Sequence, residues 1–424
     1  MFDKKTSVIL VSVLAFAIMY SVFDSEGGVT GKQIAFPATA GNVFIGADRY
    51  DGSAGPDSGR VYIYSYVSGR LQNNLYGENA GDRFGASIAK FGNKYAVGAP
   101  YHDGPNGIDS GKLYIYTADG QLLTTIDGLV ASYFGASIAG IGDVNGDGFE
   151  DLAVGSNLYD AGPNGANAGI LKIYSGRGKF PEIFSLDGGN TGDQFGYAFA
   201  GIGDVNGDGV ADFSVSAPGD DGPNGTNAGR VYMYNGVNAS LIYSVGGDAP
   251  NEMYGAVVEN VGDIDGDGVE DFSVSAPLSN GPCSVCGEVY LYSGLTGNLL
   301  YKLFGQQIGA GFGYAVAGIG DVNRNGVEDF AVSEKHWDGP GGFDAGRVSI
   351  YDGSGTSLNI LDGEATSDWY GWSLSALDDH HIVIGAPLYD NPSLGKVYMI
   401  DTRTMLGRRV WVGDMNTFFG VAVA

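Results

Sequence analysis

Four nine-residue loops of this 424-residue chain place Asp or Asn at alternate positions and close on Asp: Asp143-Asn145-Asp147-Asp151, Asp204-Asn206-Asp208-Asp212, Asp263-Asp265-Asp267-Asp271 and Asp321-Asn323-Asn325-Asp329. Calcium takes six to eight hard oxygen ligands, and positions 1, 3 and 5 of a tight loop aim their side chains at one centre. Position 7 adds a main-chain carbonyl, here of Phe149, Val210, Val269 and Val327. Glycine at position 6 (Gly148, Gly209, Gly268 and Gly326) permits the sharp turn. Asp, Asn and Gly also form turns with no ion present, but four such loops in register point to cations. Carboxylates brought this close repel one another unless a cation neutralises them. The expectation is about four calcium ions acting as structural staples. The third loop, with four carboxylates, should bind best, and the fourth, with two and Arg324 beside it, worst. No open coordination position beside an acid or base is evident, so no catalytic metal and no catalytic residue is assigned.

Loops in register require repeated elements to carry them. A Gly-x-Val-Tyr-x-Tyr mark recurs seven times, as Val61–Tyr64, Leu113–Tyr116, Leu171–Tyr174, Val231–Tyr234, Val289–Tyr292, Val348–Tyr351 and Val397–Ile400. Seven Val-rich runs precede these marks, from Val43–Ala47 to Ile382–Pro387, several ending Gly-Ala-Pro. A further short apolar stretch follows in each unit, such as Leu122–Ile126, Leu241–Val245 or Leu299–Leu303. Aromatic-Gly pairs open the units: Phe84-Gly85, Phe134-Gly135, Phe195-Gly196, Tyr254-Gly255, Phe312-Gly313, Tyr370-Gly371 and Phe419-Gly420. Four short strands per repeat of about 50 residues predict propeller blades of four-stranded antiparallel sheet. The last aromatic-Gly pair stands at the C-terminus, while the first Val-rich run has none before it. Residues 419–424 are therefore expected to supply the inner strand of the first blade and close the ring.

With these motifs in register, residues 41–424 resemble the FG-GAP repeats of the integrin α-subunit head. The resemblance implies an all-β, seven-bladed propeller, closed by its C-terminal strand, that holds calcium in the four acidic loops. No stalk domain, inserted domain or C-terminal membrane span accompanies it, so an integrin subunit as such is not implied.

Strand alternation puts the loops between second and third strands on the face opposite the acidic turns. They carry Tyr50, Tyr101, His102, Tyr159, His336, Trp337 and Tyr389, most of them followed by Asp. Aromatic and acidic groups on one rim suit a cationic side chain or a sugar face. The competing reading packs these rings against neighbouring blades as scaffold.

A net charge of −27 argues against nucleic acid and anionic membrane surfaces. Cys283 and Cys286 are the only cysteines. A lone CxxC lacks the second pair that zinc needs, which leaves a small loop-closing disulfide or two thiols. Lys4 and Lys5 precede an apolar run, so residues 1–23 read as a signal sequence or N-terminal membrane anchor, with 24–40 a linker. The chain is then secreted or displayed at the cell surface. The expected function is extracellular binding or adhesion, with a protein, a glycan or further copies of itself as partner. Self-assembly into a surface layer or filament is the first alternative. A propeller-fold polysaccharide lyase or hydrolase is the second, disfavoured by four histidines and the lack of a GxSxG elbow.

Overall fold

The Val-rich runs form the second strands of seven sheets: Asn42–Ala47, Lys94–Ala99, Leu152–Ser156, Asp212–Ala217, Asp271–Ala276, Asp329–Glu334 and His381–Ala386. They are buried almost throughout, which is why they read as continuous apolar runs and not as an alternation. The tyrosine marks form the third strands: Arg60–Ser65, Lys112–Thr117, Ile170–Tyr174, Arg230–Tyr234, Glu288–Tyr292, Arg347–Tyr351 and Lys396–Asp401. The outer strands Leu71–Tyr76, Leu122–Asp127, Glu182–Asp187, Leu241–Gly246, Leu299–Phe304, Ser357–Asp362 and Leu406–Val412 are half-exposed. These spans come from a computed structural model that describes residues 41–160, 164–378, 380–389, 394–414 and 417–424. The signal or anchor segment, the linker, Asp379 and Asp390 lie outside the described residues.

Among the described residues six sheets are four-stranded and antiparallel, and one has three strands, Asn42–Ala47, Arg60–Ser65 and Leu71–Tyr76. Numbered from the N-terminus, that sheet is blade 1. Blades 2 to 7 span 87–127, 137–187, 199–246, 258–304, 312–362 and 373–412. The C-terminal segment completes blade 1. Phe44 and Gly46 donate to the carbonyls of Ala424 and Ala422 at 2.8 Å each, and Ala424 and Gly420 donate back to Phe44 and Gly46 at 3.1 and 2.9 Å. Ile45 and Val423 form an antiparallel bridge. With successive inner strands packed side by side, the result is a closed, seven-bladed β-propeller.

One expectation needs adjusting. The aromatic-Gly pair was expected to begin the inner strand, but in most blades the strand starts later, at Ser87, Ser137, Phe199, Val258 and Ser373. Only blade 6 includes its pair, in Phe312–Gly320. The reason is conformational: all seven glycines have φ between 80 and 91°, and the residue before each aromatic, from Arg83 to Phe418, has φ between 51 and 67°. Left-handed backbone forms a turn and cannot continue a strand.

This turn joins neighbouring blades. Each aromatic ring is buried, and several meet the first tyrosine of their own third strand edge-on: Phe84 with Tyr114 at 5.0 Å, Tyr254 with Tyr290 at 5.0 Å and Phe419 with Tyr62 at 5.1 Å. The backbone of the same aromatic lies against the preceding blade, where Gly59, Gly111, Gly169 and Gly346 bridge Phe84, Phe134, Phe195 and Tyr370.

Candidate metal centres and the opposite loop face

The acidic loops fall where expected, between first and second strands of blades 3 to 6. In blade 3, Asp143, Asp147 and Asp151 each offer a carboxylate oxygen within 4.8 Å of the others. In blade 5, Asp263, Asp265 and Asp267 do the same. The loops curl through their own carboxylates. Asp143 accepts from the amides of Asp147 at 3.0 Å and Gly148 at 2.7 Å. Asp204 accepts from Asp208 and Gly209, Asp263 from Asp267 and Gly268, and Asp321 from Asn325 and Gly326.

The closing aspartate of each loop makes contacts that spacing alone did not disclose. Asp151, Asp212, Asp271 and Asp329 are fully buried. Asp151 accepts from Val144 at 3.0 Å and Gly176 at 2.9 Å; Asp212 likewise takes Val205 and Gly236, and Asp271 takes Ile264 and Gly294. The carboxylate thus ties the acidic loop to the turn between third and fourth strands. Asp329 accepts from Val322 at 2.8 Å and Asn323 at 3.2 Å. Two further side chains reach in from that second turn: Ser175 donates to Asp147 at 2.7 Å and Asn235 to Asp208 at 2.5 Å. A polar residue at the end of the third strand was the available signal for them.

Burial pushes the Asp151 carboxyl up to about 7 against its amide partners, with the charges of Asp147 and Asp143 adding. Burial likewise raises Asp271 and Asp329 to about 6, and it raises Asp212. Hard oxygen donors crowded at this spacing fit a divalent cation. Asp143, Asp147 and Asp151 would hold it in blade 3, and Asp263, Asp265 and Asp267 in blade 5. Bound there, it would supply charge neutralisation and cross-linking of the loop.

On the opposite face the seven candidate residues do not share one environment. His102 is 5% exposed, with Nδ1 2.9 Å from Asp82, so it is part of the interior. His336 is half-buried, 3.1 Å from Asp344 and edge-on to Trp369; burial, aided by the Lys335 charge, lowers it to about 3. The aromatics are half-buried. Arg60 lies over Tyr50 at 4.9 Å, Arg83 over Tyr101 at 4.8 Å, Arg347 over Trp337 at 3.7 Å and Lys396 over Tyr389 at 3.5 Å. In blade 5 the Cα atoms of Cys283 and Cys286 stand 5.5 Å apart, a separation that a disulfide spans.

Fold and loops together define a closed seven-bladed propeller with acidic turns on one face of four consecutive blades. The chain carries FG-GAP repeats: residues 77–116, 134–174 and 195–234 match that repeat. It is similar to integrin α subunits. Integrin alpha-4 of Xenopus laevis is 29% identical over 248 residues, 53% of this chain and 23% of that protein. Integrin alpha-V of Gallus gallus is 34% identical over 201 residues, 43% and 18% of the two chains. Integrin alpha-PS2 of Drosophila melanogaster is 32% identical over 221 residues, 47% and 15% of the two. The chain therefore spans about a fifth of the length of these relatives. The crystal structure of Saccharomyces cerevisiae Sqt1 covers 92% of this chain and 86% of its own with a TM-score of 0.51, at 12% identity, a likeness of fold alone.

Proposed function

We propose that this chain is an extracellular binding or adhesion module whose propeller is held by calcium and whose opposite loop face recognises a protein or glycan. The observation that carries the reading is the separation of faces: the carboxylate clusters gather on the turns between first and second strands, while the long loops lie across the blade. Calcium occupies all four loops, blade 5 binding most tightly and blade 6 least. Similarity to integrin α subunits supports a binding role over catalysis. Residues 1–23 direct export or tether the chain, and Cys283 and Cys286 are bonded outside the cytoplasm.

Two measurements test this. Calorimetric titration of the chelated full chain should show calcium uptake, and calcium should raise the melting temperature by mass action. A melt indifferent to calcium sinks the staple. Binding of extracellular proteins or arrayed glycans should be lost on changing loop-face residues and retained on changing the outer strands; the reverse pattern sinks the loop-face assignment.

A further inference from the structure

The second position of each acidic loop is apolar in an otherwise polar segment: Val144, Val205 and Ile264 in blades 3, 4 and 5. All three are buried. Their amides are held by the closing aspartates Asp151, Asp212 and Asp271, so the loop's own carboxylate fixes where each side chain goes. Each goes to the next blade. Val144 joins the apolar cluster of Phe213 and Val215 in blade 4, Val205 that of Phe272 and Val274 in blade 5, and Ile264 that of Phe330 and Val332 in blade 6.

There each meets the turn that the next closing aspartate holds. A Cβ on Gly294 of blade 5 would stand 3.4 Å from Val205 Cγ1, and the Gly294 amide donates to Asp271. A Cβ on Gly236 of blade 4 would stand 3.0 Å from the Val144 carbonyl oxygen, and the Gly236 amide donates to Asp212. A series of contacts thus runs from Asp151 to Asp271 through Val144, Gly236, Asp212, Val205 and Gly294. In blade 6, Gly353 lies against Ile264 in the same way, but among the described residues it gives no amide to Asp329. The series stops there.

We propose that the loops of blades 3, 4 and 5 take up calcium cooperatively, each ordered loop seating its second residue against the turn that organises the next. Without a cation the crowded carboxylates of a loop repel one another, which disfavours its ordered form. A cation that selects the ordered form also selects the seated wedge, and the neighbouring loop is then partly organised before it binds. Coupling of this kind is reciprocal, so it runs in both directions along the ring. It rests on the reading of the loops as calcium sites and adds how those sites act on one another.

The test is amide exchange read by mass spectrometry on the full chain, chelated and then brought to graded concentrations of calcium alone, which gives a calcium midpoint for each loop. Segments 143–151, 204–212 and 263–271 should gain protection over one shared, steep range. Asp265→Asn weakens the blade 5 loop directly and should raise the midpoint of 204–212, a blade away, about five-fold. Lost charge also acts through space, so the same change is repeated beside Val205→Ala, which shortens the wedge and alters no charge. The shift at 204–212 should then fall below two-fold. If Val205→Ala fails to fold, the Asp265→Asn shift is compared at about 0.1 and 1 M salt, where a through-space effect is screened away and a contact-borne one persists. An unmoved 204–212 midpoint in Asp265→Asn, a shift equally large beside Val205→Ala, or one that vanishes at high salt overturns the coupling and leaves the calcium reading standing. Loops that calcium does not protect at all defeat both.

Discussion

The four closing aspartates, read from spacing as candidate ligands, serve as scaffold in the fold. Asp271 accepts from the amides of Ile264, Asp265 and Gly294, so removing it strands buried donors whether or not calcium is present. Asp271→Ala should cost about 3 kcal/mol in the chelated protein. Asp265→Asn, altering a side chain exposed on the loop, should leave the chelated melt nearly unchanged and reduce only the gain on adding calcium. Paired melts with and without chelator separate the two. The pH dependence follows from the same groups. Asp151, Asp271 and Asp329 titrate near 7, 6 and 6 when folded, above the value of about 4 of an unfolded aspartate. From pH 4 to 7 the folded chelated chain thus holds more protons than the unfolded one, and its stability falls as pH rises. Saturating calcium keeps these carboxylates charged, so the slope should flatten or reverse. A chelated melting temperature that rises from pH 5 to 7 contradicts this assignment.

At the scale of the element, periodicity made the strands legible and left the turns between blades obscure. The Val-rich runs and tyrosine marks located second and third strands within a residue or two, because burial on both faces or alternation writes itself into composition. The aromatic-Gly pair looked like a strand start for the same reason, and only the backbone shows it to be a left-handed turn. Asp151 and its equivalents were readable as candidate ligands from spacing, but their amide partners at Gly176 and Gly236 come from a distant turn that spacing cannot reach. Two glycines that look alike in the repeat do different work. Gly148 has φ of 86° and open space around it, so Gly148→Ala should cost only the backbone strain, about 1 kcal/mol. A Cβ on Gly111 would strike the backbone of Phe134 in the next blade, so Gly111→Ala should cost several times as much, about 3 kcal/mol. Denaturant melts of the two variants give the comparison; equal losses would mean that the blade junction yields.

At the scale of the whole molecule, the closing seam and the candidate metal loops lie on different arcs of one ring. The seam lies in blade 1, where 419–424 complete the sheet, and the acidic loops lie in blades 3 to 6. A propeller has few contacts that skip a blade, so loosening one arc need not loosen the other at once. Chelation should speed amide exchange first in the loops 143–151, 204–212, 263–271 and 321–329 and in the turns they hold. The Phe44, Gly46 and Ala424 amides should stay protected. Deleting 418–424 should do the opposite. It removes the fully buried Phe419 and Val421 and exposes the edge of Asn42–Ala47, a strand with no charged side chain to guard it. The truncated chain should melt at a much lower temperature with calcium present and associate through that edge, which sedimentation would detect. The local calcium response of blades 3 to 6 should survive below the new melting point. If the truncated protein instead melts like the intact one, the ring does not depend on its C-terminal strand, and the fourth strand of blade 1 contributes contact without closure.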